Sequence, residues 1–155
     1  MKMLDYQDVI RACRFCFMCR HLSAVGNVTF RESDTPRGRA LMADTIRMRP
    51  EALGNHDFIE AFYRADLSAA CRRHCVSAYD ENGLIRAVRA DAVAAGCEPE
   101  AVRRLAAQLD ARGHPYGAVE DALETAGLPA SADVLVYVDA ATLYRQPAVA
   151  RALFG

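Results

Sequence analysis

No stretch of this sequence approaches the roughly 18 consecutive apolar residues of a membrane-spanning helix. Charge of one sign is also missing. Nineteen Lys and Arg stand against 20 Asp and Glu, interspersed, for a formal net charge of −1. No long-range field therefore draws the chain to a phosphate backbone or an anionic membrane, and nucleic-acid binding is not expected. The opening Met1-Lys2-Met3-Leu4-Asp5-Tyr6-Gln7-Asp8 lacks the apolar stretch of a secretory signal, so a cytoplasmic setting is expected. There is no GxGxxG opening a helix after a strand, no phosphate loop and no triad-like set of nucleophile and base. A flavin or nicotinamide would have to reside on another chain.

What the sequence does have is cysteine, six in 155 residues, in a chain with 52% hydrophobic positions and material for about one domain. A reducing compartment makes these thiols metal ligands or redox groups before it makes them disulfides. The surrounding pattern is mainly helical. A short helix runs from Asp5 to about Ala12, and Ser33-Asp34-Thr35-Pro36 supplies a capping residue and a proline to start a helix from Arg37 to about Arg47. Phe58, Ile59, Phe62 and Tyr63 place one apolar face on a helix over Asn55 to Ala65. Further helices span Leu84 to Ala95, closed by Gly96, and Pro99 to Ala111, closed by Gly113. After the turn residues 113–117 a short helix is expected over Val119 to Ala126. The run Val134-Leu135-Val136-Tyr137-Val138 then reads as a single buried strand, with no second strand in the chain to pair with it. The expected architecture is a helical metal-binding domain over 1–112 and a helix-strand-helix stub over 113–155 that serves as a subunit interface.

The cysteine spacing carries most of the functional information. Cys13, Cys16 and Cys19 form CxxCxxC, which sets three thiolates around one small volume and suits a [4Fe-4S] cubane, ligated at four corners. Zinc more often takes two separated pairs, and it stands as the alternative together with plain buried thiols. In two-cluster ferredoxins the fourth cysteine of such a run serves the other cluster. The distant Cys71-Arg72-Arg73-His74-Cys75 has the CxxxC spacing of the end of such a run, making Cys75 the expected fourth ligand. A second cluster would need cysteines at Ser23, Ala65 and Ser68, and none is there. One cluster is therefore expected, with Cys71 either a spare thiol beside it or a substitute ligand. A radical-SAM CxxxCxxC fails because Ala78 stands three residues after Cys75.

The ordered set Cys13 to Arg20, Val25-Gly26-Asn27-Val28, Arg31 to Ala40 and Cys71 to Cys75 resembles the iron-sulfur-binding proteins with an α-helical ferredoxin domain. These include the iron-sulfur subunit of glycolate oxidase and its counterparts in anaerobic glycerol-3-phosphate dehydrogenase and heterodisulfide reductase. The resemblance covers roughly residues 1–95, with Leu22-Ser23-Ala24 where Val-Cys-Pro is expected and Val76 in place of a proline. Asp133 to Val138 more weakly resembles the opening strand of that family's cysteine-rich domain, with Asp139-Ala140 where Gly-Cys would follow. The resemblance implies a non-catalytic electron-transfer subunit of a hetero-oligomeric oxidoreductase. Its partners would be a flavoprotein dehydrogenase subunit, carrying flavin, and further iron-sulfur subunits.

Several neighbours of the ligands have two readings. Arg37 and Arg39, which resemble the family's Pro-Arg-Gly segment, either stabilise the reduced cluster by their charge or simply solvate a helix start. Phe15, Phe17 and Met18 either shield the sulfurs from water or present a docking rim. His21 and His74 are either tuning groups or replacement ligands, as in Rieske centres, or else solvated or backbone-bonded imidazoles, and Cys97 reads as an ordinary packed cysteine. The competing function is a structural one, in which a cluster or zinc pins a helical scaffold and does not turn over.

Overall fold

The computed structural model describes residues 1–116 and 131–153. The chain is mainly helical and divides into two compact units, Met1–Glu100 and Ala101–Gly155. The first contains α1 (Gln7–Ala12), α2 (Ala24–Thr29), α3 (Pro36–Met48), α4 (His56–Tyr63), α5 (Ala70–His74) and α6 (Glu81–Ala94), joined in part by 3-10 turns at Lys2–Tyr6, Met18–Leu22, Glu32–Asp34 and Pro50–Gly54.

Side-chain caps start α3, α4 and α6, the first of them at the Thr35-Pro36 signal read from the sequence. Thr35 is the N-cap of α3, where its hydroxyl accepts the Gly38 N–H at 3.1 Å and Pro36 fills the first helical position. Asn55 caps α4 through the Phe58 N–H, and Asp80 caps α6 through the Gly83 N–H. Gly96 and Gly113 adopt φ of 68° and 73°, the left-handed turn expected of glycines that end helices.

The core of this unit forms where α3, α4 and α6 meet, from Ala40, Ala43, Ile46, Ile59, Phe62, Leu84, Ile85 and Val88, with Met3 and Ile10 added from the N-terminal segment. The Asp91 carboxylate accepts the main-chain N–H groups of Lys2 and Met3, which fastens the first turn to α6. Arg89 caps the C-terminal end of α4, donating to the carbonyl oxygens of Phe62 and Tyr63, which the helix leaves without partners, and to that of Ala65 just beyond it.

The first turn of α3 lies so close to the Glu32–Asp34 turn that a Cβ on Gly38 would run into the carbonyl oxygen of Glu32. Because the obstruction is backbone, Gly38→Ala must displace the start of α3. The expected cost is about 1–3 kcal/mol of stability, read as a lower midpoint in a urea or thermal unfolding curve.

In the second unit, α7 (Glu100–Arg112), whose first residue belongs to the first unit, is followed beyond residue 130 by α8 (Ala140–Arg145) and α9 (Pro147–Ala152). His114 stacks on Tyr144 with ring centroids 4.0 Å apart, and the Arg145 guanidinium lies over the Tyr116 ring. The helix expected over Val119 to Ala126 lies outside the described residues. The strand expected over Val134 to Val138 does not form. These residues take no regular secondary structure and belong to no ladder among the described residues, and Leu135 is 94% exposed. An apolar, β-branched run has strand propensity, but a strand exists only where a neighbour takes up its N–H and C=O groups.

Candidate metal centre

Three short segments of the first unit converge on one recess. α1 ends at Cys13, whose own φ and ψ are already extended and whose N–H donates to the Ile10 carbonyl. The loop then turns through Phe15, held at φ 52°, before Cys16 and the 3-10 turn carrying Cys19. α5 begins after Ala69 at φ 60° and stops at Cys75, which is its C-cap, and the chain leaves through Ala78 at φ 46°. Left-handed backbone is unfavourable for residues with a Cβ, at roughly 1–3 kcal/mol each, and here three such residues flank the cysteine groups. Strain of this kind persists where the surroundings dictate a geometry.

The recess is bordered by Cys13, Cys16, Cys19, Cys71 and Cys75, with Met18, Pro36, Arg37, Val76 and Tyr79 among its other walls. The sequence-predicted ligands are thus brought to one place from two segments far apart in the chain. Cys71, also at the rim, is buried, and its thiol donates to the carbonyl oxygen of Cys19 at 3.6 Å across a separation of 52 residues. Among the described residues no three His, Cys, Asp or Glu side chains converge as ligands of a single metal ion.

Burial raises the pKa of Cys13 and of Cys19, and the mutual repulsion of neighbouring thiolates adds to it. Burial, with the Glu81 charge behind it, pushes Cys71 up to about 12. Main-chain donors oppose the trend. The Phe15 N–H serves the Cys13 sulfur and the Arg37 N–H serves Cys19. The second of these follows from how α3 starts. Pro36 has no N–H, Thr35 occupies that of Gly38, and Arg37 supplies a free first-turn donor facing the recess, at the positive end of the helix dipole.

The two arginines named from the sequence part ways. Arg37 lines the recess, donates through Nε to Glu32 at 2.6 Å and through a terminal nitrogen to the Phe15 carbonyl, and lies over the Phe17 ring at 4.1 Å. It therefore braces the cysteine loop. Arg39 is 3% exposed and is not among the recess walls; its Nε and a terminal nitrogen reach Glu81 Oε1 at 2.8 and 2.7 Å. Its charge still acts on Cys71.

His21 and His74 are exposed, and Cys97 lies away from the recess with its thiol directed to the Ala95 carbonyl. Phe17 and Val76 are largely exposed beside the cysteines, and Phe15 and Met18 partly so. The three positions a second cluster would need have other work. Ser23 is the buried N-cap of α2 and donates to the Asp34 carbonyl, Ala65 packs in the core, and Ser68 turns an exposed loop.

Sequence reasoning missed Glu81, Tyr79 and Asp34. Each is buried, and each matters through a partner or wall distant in sequence: Arg39 for Glu81, the cysteines for Tyr79, and Arg64 for Asp34. An acidic residue in the first turn of a helix carries no signal of a buried guanidinium 42 residues away.

No family model, curated protein or solved structure matches the chain.

Proposed function

We propose that Cys13, Cys16, Cys19 and Cys75 hold one [4Fe-4S] cluster and that the chain is an electron-transfer subunit of a heteromeric, flavin-dependent oxidoreductase. The observation that carries this reading is that these four thiols, drawn from two distant segments, border a single recess. The donor set agrees in kind, since four thiols around a volume are what a cubane's corners require. Burial makes free thiolates costly there, and a multivalent metal group supplies the positive charge that offsets this. The CxxCxxC spacing and the resemblance to α-helical ferredoxin domains point the same way.

A bound cluster would accept and release one electron at a time. The chain's own part is to bind, shield and tune. The main-chain N–H groups of Phe15 and Arg37 donate to Cys13 and Cys19, which favours negative charge on those sulfurs. Met18, Pro36, Val76 and Tyr79 limit water around the thiols and lower the local dielectric. Phe17 and Val76 extend the apolar surface outward, giving a partner a contact close to the cysteines. Flavin belongs to that partner, because nothing in this sequence has the form of a dinucleotide-binding turn.

Anaerobic purification followed by iron and sulfide analysis and EPR of the dithionite-reduced protein tests the reading. One S = 1/2 cubane signal per chain, reduced by substrate in the presence of the flavoprotein partner, is the expected result. Zinc without iron would overturn it. A specific observation favours the structural reading as the second: the Cys71–Cys19 hydrogen bond already joins the two cysteine segments. A cluster that has no reversible couple, while the complex still turns over, would make the metal a pin.

A further inference from the structure

Tyr79 is a wall of the cysteine recess, is 4% exposed, and has a hydroxyl that is fully enclosed yet finds no hydrogen-bond partner among the described residues. A buried phenol ordinarily pairs its O–H, and leaving it unpaired costs about 1–3 kcal/mol. The chain accepts further expense to bring it there. Ala78, at φ 46°, donates its N–H to the Cys75 carbonyl, and Tyr79 in turn accepts the Glu81 N–H on its own carbonyl, so a strained turn sets the ring beside the last cysteine. The charged groups that act on the hydroxyl are Glu81, Cys13, Arg39 and Cys19. Glu81 and Arg39 are engaged with one another, which leaves the sulfurs.

Resting on the cluster assignment above, we propose that the Tyr79 hydroxyl donates a hydrogen bond to a sulfur of the group held by Cys13, Cys16, Cys19 and Cys75, and so raises its reduction potential. An O–H···S bond strengthens as the sulfur gains negative charge, so it stabilises the reduced state more than the oxidised one. Tyr79 is a positioning residue for charge and takes no part in ligation.

The test is a potentiometric titration, followed by EPR, of the full chain loaded anaerobically as wild type, as Tyr79→Phe and with a fluorinated tyrosine at position 79. Tyr79→Phe is expected to load with the same iron content and to shift the reduction equilibrium about tenfold toward the oxidised form, which is about 59 mV for a one-electron couple. The fluorinated residue, a stronger donor of nearly the same size, is expected to move the potential the opposite way. Tyr63→Phe, which removes a hydroxyl that donates to the Arg89 carbonyl, is the control and should leave the potential alone. Loaded variants with an unchanged potential, or with both substitutions moving it in the same direction, would overturn the inference while leaving the cluster intact. A wild-type chain that takes up no iron and sulfide would overturn the cluster assignment itself, and the inference with it.

Discussion

Cys75→Ala is expected to abolish iron binding and the EPR signal, whereas Cys71→Ala retains both. The two thiols are four residues apart, at the start and end of the same short helix, and both border the recess. They differ in how they are held. Cys75 is the C-cap, partly exposed, with its backbone turned to extended φ and ψ. Cys71 is buried within α5, its thiol is engaged by the Cys19 carbonyl, and a pKa pushed up to about 12 makes it reluctant to ionise. In the proposed cluster, removing Cys75 would leave an iron without its thiolate, while removing Cys71 costs a weak S–H hydrogen bond and some packing. Iron quantification and EPR on the two variants, purified side by side, read the difference. Iron retained in Cys75→Ala and lost in Cys71→Ala would exchange their roles.

Glu81→Gln is expected to destabilise the protein by about 3–5 kcal/mol, because it leaves the Arg39 guanidinium buried without a counter-charge. The pair is enclosed on both sides, and burial lifts the Glu81 carboxyl above its ordinary range even against the pull of Arg39. The ion pair is thus a costly arrangement whose halves depend on each other. For a unit of this size about 1 kcal/mol moves the thermal midpoint by roughly 4–8 °C, so the loss should be plain in a calorimetric scan. The double variant Arg39→Met, Glu81→Leu should recover much of the stability, since replacing both charges removes the desolvation cost as well as the attraction. If Glu81→Gln melts at the wild-type temperature, Arg39 has found another acceptor.

Local chemistry was legible in the sequence where one short segment decides the outcome. Thr35-Pro36, Asn55, Gly96 and Gly113 set helix ends by their own hydrogen-bonding groups or backbone freedom, and the structure has those ends within a residue or two. The CxxCxxC spacing keeps Cys13, Cys16 and Cys19 on one short loop by local geometry, whereas Cys75 was joined to them by the ligand pattern of two-cluster ferredoxins, and all four border the recess. What could not be read was the pairing of side chains across distant segments where no ligand pattern links them. Arg39 was open to two readings, a charge near the cluster or a solvated helix start, and neither named Glu81, the partner on α6 that engages it in the interior. Tyr79 received no reading in the sequence, and it is the fold that makes it a wall of the recess. Val134 to Val138 failed for the complementary reason: the propensity was local, but the ladder it needed was not.

α3 has two duties along one rod. Its opening residue positions the Arg37 N–H against Cys19, and its next turns, from Arg39 to Ile46, are packed in the interior. If the proposed cluster is there, a volume change at Ala43 or Ile46 that slides this helix also lengthens or shortens a hydrogen bond to a ligand sulfur. Selection for heat tolerance and selection for electron affinity would then act on the same few side chains. On that proposal, a lineage could not adapt to a hotter habitat through this helix without also retuning the proposed electron transfer.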